Sequence, residues 1–476
     1  MTPAYAVKNL ADVSRALRLA KEGMEREQWP RERLEAFQRE RLGVLVEHAS
    51  THSPFYRAHY GGRIDRRDVR LNALPPVTKT MMMDELDRFV TDPRLTRDTL
   101  ERHLTAVGAR DELLLGAYRV MASSGSSGRK GIYVYDRAAW SGVVAGAMRS
   151  SRMMGIRPRF PRRRRMAQVA APDAKHMTTR GASSINIGLF RSLLLSASQP
   201  IAMLVEALER HQPEILFGYP SILALLAVEQ LEGRLRIAPE VICTSSEVRT
   251  VEMTARMRAA WGVEPFDGLG LTETGLTATD CAEHAGLHVF EDACIYEVVD
   301  EHDRPVPSGR PGAKVLVTNL YNRTQPFIRF EVTDLATLCD EPCACGRTFR
   351  RITAIEGRSD DVLELRGNAG AVVRVHPIHL RSPLAAMPAV AQYQITEASD
   401  GLDVTLALVR HVAGEDVPGA VVRTITAKLD ALGVAPLAIR VRVVPQIARE
   451  AGAGKFKLIK AAPRVRGGDA APPPAL

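Results

Sequence analysis

Apolar positions recur along this chain first at helical spacing, then in alternating blocks, and finally in short runs of period two. From about Leu10 to Tyr60 the pattern predicts helix, with Leu34, Phe37, Leu42, Leu45 and Val46 forming one apolar face among Arg and Glu. Ser53-Pro54-Phe55-Tyr56 and then Leu74-Pro75-Pro76-Val77-Thr78-Lys79 break the chain. Ala138 to Met154 reads as a helix, Met166 to Ala171 as a buried strand, Pro200 to His211 as a helix and Glu214 to Phe217 as a strand. Helix Ile222 to Leu231, strand Val241 to Thr244 and a helix around Val251 to Trp261 continue the series. Strands alternating with helices at this rhythm predict an α/β domain on a largely parallel sheet covered on both faces. From His288 onward short strands such as Ala293 to Val299 and Ala313 to Thr318 predict a β-rich subdomain. Beyond Gly357, strands at 372–375, 391–396, 402–409 and 439–444 with a helix from Pro418 to Leu432 predict a small mobile α+β domain. The expected domains are 1–357, 358–461 and a disordered tail, 462–476, rich in Gly and Pro.

One stretch interrupts this alternation. Between Met121-Ala122 and the strand-like Ile132–Tyr135 lies Ser123-Ser124-Gly125-Ser126-Ser127-Gly128-Arg129-Lys130-Gly131, with four serines and three glycines in nine residues. Backbone N–H groups and hydroxyls there can converge on one anion, with Arg129 and Lys130 adding positive charge, so the stretch reads as a phosphate loop. A flexible linker is the alternative. The spacing fits neither a Walker loop nor a dinucleotide fingerprint.

Composition narrows the partners. The 476 residues are 45% hydrophobic and 25% charged, as in a globular protein with a large and a small domain. A formal charge of +9 fits anionic small substrates as easily as nucleic acid, but 5% aromatic residues argue against platforms for stacking single strands, and no nucleic acid is expected. The basic cluster from Arg157 to Arg165 reads as a solvated loop, or as a contact for coenzyme phosphates. Met1 to Asn9 has no basic segment leading into an apolar core, and no apolar run approaches ~20 residues, so no membrane contact and a cytoplasmic location are expected. Six cysteines without secretory features fit a reducing compartment. Cys343-Ala344-Cys345 puts two thiols within reach of one ion, and Cys281 with His284 or His288 can complete a tetrahedral zinc set. Cys339 is a substitute ligand, whereas Cys243 and Cys294 read as core.

The Ser-Ser-Gly-Ser-Ser-Gly pattern resembles the phosphate loop of the adenylate-forming superfamily of acyl-CoA synthetases, luciferases and adenylation domains. Further motifs agree in order: Leu269-Gly270-Leu271-Thr272-Glu273, Arg329-Phe330-Glu331-Val332-Thr333-Asp334, Gly357-Arg358-Ser359-Asp360-Asp361, and Gly454-Lys455. Within that superfamily the chain looks like the phenylacetate-CoA ligase-like branch. His48 to Arg57, Phe217-Gly218-Tyr219-Pro220-Ser221 and Cys343 to Arg347 carry that likeness, which spans roughly residues 30 to 460.

The resemblance implies a role for each matching residue. Ser123, Ser124, Gly125, Ser126, Ser127, Gly128 and Lys130 would cradle the β- and γ-phosphates of ATP; Thr272 would bond a phosphate oxygen and Glu273 would hold Mg²⁺. Asp334 and Arg358 would meet the ribose, and Ser246, Glu247, Leu269 and Gly270 would line the nucleotide pocket. Leu269 departs from the family's aromatic, so Tyr219 or Phe266 are candidates to supply the stacking. His176 and Tyr219 would border the acyl pocket. Lys455 would place its ammonium beside the reacting oxygens, with Lys457 and Lys460 as alternates, and Asp360 would be the hinge. Relatives of this branch favour His288 over His284 as the ligand of a structural zinc. The implied enzyme is an AMP-forming ligase. It would convert an aryl or other small organic acid and ATP to an acyl-adenylate and pyrophosphate, then pass the acyl group to coenzyme A; a homodimer is left open. An amide-forming ligase using an amine, and a non-catalytic nucleotide-binding protein, are the rival readings.

Overall fold

The computed structural model describes residues 3–61, 69–106, 112–123, 131–171, 177, 180, 188–368, 370–385, 387, 389–409, 416–449 and 455–462. The predicted N-terminal helix is three helices, Pro3–Arg26, Arg31–His52 and Pro54–His59. The unforeseen break falls at Pro30, whose backbone is extended (φ −55°, ψ 146°) just ahead of Arg31. A proline fits there because the first helical N–H groups have no partner within the helix. The foreseen break at Ser53 is a cap, its Oγ accepting from Tyr56 N at 3.3 Å.

Among the described residues the main sheet has nine strands. Arg191–Ser196, Arg165–Ala170, Ile215–Gly218, Val241–Ser245 and Phe266–Leu271 run parallel to their neighbours. Gly275–Thr279, Leu287–Val289, Arg351–Arg358 and Asp334–Cys339 then extend the sheet antiparallel. Within the parallel half, Arg165–Ala170, Ile215–Gly218 and Val241–Ser245 follow the alternation read from the sequence, whereas Arg191–Ser196 and Phe266–Leu271 were not foreseen. The antiparallel half departs from the expected division, because strands after His288 join the main sheet as well as building a separate one. That separate sheet pairs Cys294–Val299, Lys314–Asn319 and Phe330–Val332. Period-two patterning marks a half-buried strand and carries no information about which sheet it joins.

Helix Arg137–Met153 lies against the main sheet, capped by Asp136, whose Oδ1 accepts from Ala139 N at 2.7 Å. It comes unusually close: a Cβ on Gly146 would sit 2.6 Å from the carbonyl oxygen of Leu276. A second core gathers Leu363, Val375, Ile395, Leu402, Val421 and Ile459, among others. It joins the four-stranded sheet of Ala438–Val443, Gly401–Leu408, Val390–Ala398 and Ile459–Lys460 to helix Val417–Ala431. Between the two cores the chain leaves strand Arg351–Arg358 and makes one short 3-10 turn, Ser359–Asp361. Among the described residues no helix is long and apolar enough to cross a membrane.

Candidate functional site

A cavity of about 330 Å³ opens at the carboxyl ends of the parallel strands, where Ser245, Ser246, Leu271 and Thr272 meet residues of the antiparallel half and of the C-terminal segment. An adjoining cavity of about 130 Å³ shares Ser246, Gly270, Leu271, Asp334, Arg358 and Lys455 with it. The change of strand direction beside Phe266–Leu271 makes this a switch point, where ligands of open α/β sheets gather.

The Ser/Gly stretch is flanked by two paired strands. Strands Arg119–Ala122 and Ile132–Tyr135 pair antiparallel, and Ser123 and Gly131 close the loop through Ser123 N to Gly131 O and Gly131 N to Ser123 Oγ, both 3.0 Å. Ser123 lines the larger cavity. Ser124, Gly125, Ser126, Ser127, Gly128 and Lys130 lie outside the described residues, as does His176.

Thr272 and Glu273 follow directly on strand Phe266–Leu271 and are held from several sides. Tyr135 Oη donates to Thr272 O at 2.7 Å, Asn319 Nδ2 to Glu273 O at 2.9 Å and Tyr321 Oη to Thr274 O at 2.5 Å. Tyr133 Oη donates to Glu273 Oε1 at 2.7 Å. Burial pushes the Glu273 carboxyl up from its usual range, with the Tyr133 bond and the nearby Lys79 charge acting against that. A half-buried carboxylate fixed at one oxygen, beside Thr272 and on the cavity wall, fits a Mg²⁺ ligand: the ion's charge would offset the cost of its partial burial. Tyr133, Tyr135, Asn319, Tyr321 and the cavity-lining Lys79 were not foreseen. The alternation in Ile132-Tyr133-Val134-Tyr135, which puts both tyrosines on one face, was the available signal.

Asp334 and Arg358 are cross-strand partners, with Nε and Oδ1 3.8 Å apart, and both line the two cavities. Arg329, at the head of the same motif, does something else. It is buried with φ 47°, and its guanidinium donates to Leu74 O at 2.6 Å and Glu297 Oε2 at 3.2 Å, so it ties the segment around Leu74 to strand Cys294–Val299 away from the site. Lys455 lines both cavities; Lys457 lines the smaller one, with its Nζ paired to Asp361 Oδ1 at 2.6 Å, and Lys460 lies on a strand. Asp360 sits in the 3-10 turn and lines the larger cavity.

Leu269 and Gly270 line the smaller cavity with Glu247. Ser246, at φ 74°, turns the chain out of strand Val241–Ser245, a left-handed conformation costly for a residue with a Cβ. The carboxylate of Glu247 is engaged on both oxygens: Ser221 Oγ donates to Oε2 at 2.5 Å, Phe456 N to Oε1 at 2.6 Å, and Arg449 lies 3.7 Å away. Tyr219 lines the larger cavity and its Oη accepts from Ala171 N at 3.0 Å. Phe266 packs on His284, with centroids 4.7 Å apart, and stands outside the two cavities.

Away from these cavities, Cys281, His288, Cys343 and Cys345 bring their ligand atoms within 4.8 Å of one another. Cys281 Sγ is 3.8 Å from Cys343 Sγ, and Cys345 Sγ is 3.3 Å from His288 Nε2. A tetrahedral zinc with Zn–S of about 2.3 Å would separate two thiolates by about 3.8 Å, so the donor set fits that ion. His288 Nδ1 is 3.3 Å from Phe349 O, leaving Nε2 for a metal, and burial pushes its pKa down to about 4, so the ring is neutral. His284 turns to Asp280 at 2.8 Å and is outside the set, as is Cys339. Cys243 and Cys294 are buried in the apolar cores.

No protein-family model matches the chain. Over 392 residues it is 30% identical to the phenylacetate-coenzyme A ligase of Thermus thermophilus, spanning 79% of this chain and 81% of that protein. It is 28% identical to the phenylacetate-coenzyme A ligase of Aromatoleum evansii, over 77% of this chain and 79% of that one. Among solved structures, a 2-hydroxyisobutyryl-CoA ligase in the postadenylation state superposes with a TM-score of 0.69 at 23% identity, covering 92% of this chain and 91% of that one. With that identity maintained over four fifths of its length, the chain belongs to the phenylacetate-coenzyme A ligase family of adenylate-forming enzymes.

Proposed function

We propose that this protein is an AMP-forming acid-CoA ligase. A carboxylate oxygen attacks the α-phosphorus of ATP, pyrophosphate leaves, and the thiolate of coenzyme A then attacks the acyl carbonyl and expels AMP. The observation that supports this most directly is the convergence of Ser123, Thr272, Glu273, Asp334, Arg358 and Lys455 on one cavity, from segments far apart in sequence. Activating a carboxylate requires the two anions to be held together while negative charge grows between them. Lys455 supplies a cation for that point, Ser123 and Thr272 receive phosphate oxygens, and Asp334 accepts from the ribose hydroxyls with Arg358 beside it. Glu273 would hold Mg²⁺, which neutralises polyphosphate charge when bound. Ser246, Leu269 and Gly270 border the base.

In the same reading residues 358–461 form a lid that turns at Asp360 between the two half-reactions, and the set of Cys281, His288, Cys343 and Cys345 holds a structural zinc. Pyrophosphate exchange across a panel of acids, followed by mass spectrometry of the products formed with coenzyme A or with amines, tests the assignment. Acid-dependent exchange with a thioester product is expected. Exchange that yields only an amide would move the protein to the amide-forming ligases, and absence of exchange with every acid would reject the activity.

A further inference from the structure

We infer that the acid activated here is elongated and uncharged beyond its carboxylate, lying along the parallel strands with its tail between Met154 and Ile215. The inference rests on the ligase reading and adds the shape and polarity of the substrate.

The larger cavity is a channel with two walls of similar length. One wall is the sheet, where Met166 is in register with Ile215 and Gln168 with Phe217, and all four line the cavity. Same-face positions on a strand are about 6.6 Å apart, so the step from Ile215 through Phe217 to Tyr219 covers roughly 13 Å. The other wall is helix Arg137–Met153 and its extension, lining the cavity at Val143, Ala147, Ser150, Ser151 and Met154. Eleven residues of helix rise about 16 Å.

The two walls agree in direction. At Gly275, next to the Thr272–Glu273 turn, an added Cβ would lie 3.3 Å from Val143; at Gly268, on the neighbouring strand Phe266–Leu271 and farther from that turn, it would lie 3.5 Å from Met154. Val143 therefore marks the reacting end and Met154 the far end. Small side chains at Ala147, Ser150 and Ser151 leave the space between them open. A single aromatic ring with a short acid arm would leave the part lined by Met166 and Ile215 without contacts.

Charge is distributed unevenly along the channel. Lys79, Glu273, Glu331, Asp334, Arg358, Asp360 and Lys455 are its charged lining among the described residues, and they belong to the reacting end. Toward Met154 the walls are apolar apart from the neutral groups of Ser150, Ser151, Gln168 and Ser192. A second carboxylate or an ammonium on the tail would be desolvated there with no counter-charge among the described residues.

The test measures kcat/KM for pyrophosphate exchange with straight-chain acids from acetate to dodecanoate, ω-phenylalkanoates, and the ω-carboxy and ω-amino counterparts of the longer acids. In parallel, binding of decanoate to the ATP-free protein is measured by calorimetry. The expected result is a rise of up to about 4-fold per methylene until the channel is filled, with the ω-charged acids at least 10-fold poorer than neutral acids of the same length. Ser151→Trp, on a half-buried helix position at the far end, should move the optimum to shorter acids. An optimum at acetate or at a single-ring acid, or equal loss at every length in Ser151→Trp, would overturn the inference. If no acid supports exchange, the ligase reading fails, and decanoate binding still decides the channel: saturable binding weakened by Ser151→Trp supports it, and no binding overturns it.

Discussion

Glu247 accepts a hydrogen bond from the backbone N–H of Phe456 at 2.6 Å, the residue next to Lys455. The bond joins the main sheet's side of the cavity to the C-terminal core, and Arg449 reinforces it through Glu247 and through Ser221 Oγ at 3.0 Å. Arg256 adds a tie by donating to the carbonyls of Val390 and Ala391. Lys455 is thus held at the cavity by contacts that its own side chain does not make.

Glu247→Ala should loosen that arrangement. It removes the acceptor for Phe456 N and leaves Arg449 buried without its carboxylate, a loss of roughly 1.5–3 kcal/mol for a hydrogen bond to a charged group. Adenylate formation should fall by on the order of 10-fold, with transfer from preformed adenylate less affected. Separate measurement of the two half-reactions checks this. ATP affinity falling in step with adenylation would instead assign Glu247 to base contact.

Lys455→Ala should lower adenylation by ~100-fold or more, as removal of a group that stabilises developing charge does, with ATP binding nearly intact. Lys457→Ala should cost only a few-fold, because that ammonium is committed to Asp361 at 2.6 Å. Single-turnover rates for both variants distinguish them, and the reverse ranking would transfer the role to Lys457.

The residues that converge on the cavity were legible where they sit in short contiguous motifs: Thr272 and Glu273 in one, Asp334 in another, Arg358 and Asp360 in a third. Their supports were not. Tyr133 reaches the Thr272–Glu273 turn from 140 residues away in sequence, and Asn319 and Tyr321 from 46 and 47, and no local spacing records such contacts. The choice between His284 and His288 depended on side-chain direction: His288 faces Cys345 from its strand, while His284, at φ 48° in a turn, is drawn to Asp280. Arg165–Ala170, Ile215–Gly218 and Val241–Ser245 were readable because helices separate them. Gly-rich Phe266–Leu271 and short Leu287–Val289, on either side of the change of strand direction, were not, because they lack a clean alternation.

Purified protein should contain about one zinc per chain if Cys281, His288, Cys343 and Cys345 bind it. The set is packed against Leu34, Met153, Phe290 and Phe349, and nearby Arg149 bonds Glu27 at 3.1 Å and Asp292 at 2.8 Å, so loss of the ion should loosen the N-terminal helices. Chelation should lower Tm by at least about 5 °C while changing ATP affinity little. Metal-free protein with the same Tm would reject the site.

Asp267 should make stability fall as pH rises. Burial pushes its pKa from the usual carboxylate value of 3.8 up to about 6, against the nearby Arg249 charge and the bond from Thr244. The folded state therefore holds this proton more tightly than the unfolded chain. The associated stability is fully present below pH ~4 and lost as pH rises through about 6. Asp267→Asn should flatten this part of the profile, checked by denaturant unfolding from pH 4 to 8; an unchanged profile would assign the drift to another group.

The last expectation concerns Asp360. A lid that keeps Lys455 in the cavity leaves a second nucleophile little room, so the two half-reactions require different positions of the C-terminal core. The connection between the cores is a single 3-10 turn, Ser359–Asp361, anchored on one side by Ser359 N to Thr333 O at 2.7 Å and on the other by the Asp361–Lys457 pair. Rotation at one residue between those anchors can swing the whole core. A 3-10 turn uses φ near −60°, close to the −65° that proline imposes, so Asp360→Pro suits the arrangement with Lys455 in place and opposes any other. Adenylate formation should be largely retained and transfer to the second nucleophile reduced by on the order of 10-fold or more. Rapid-quench measurement of each half-reaction decides the matter. Equal loss in both would point to misfolding, and undiminished transfer would place the pivot elsewhere than Asp360.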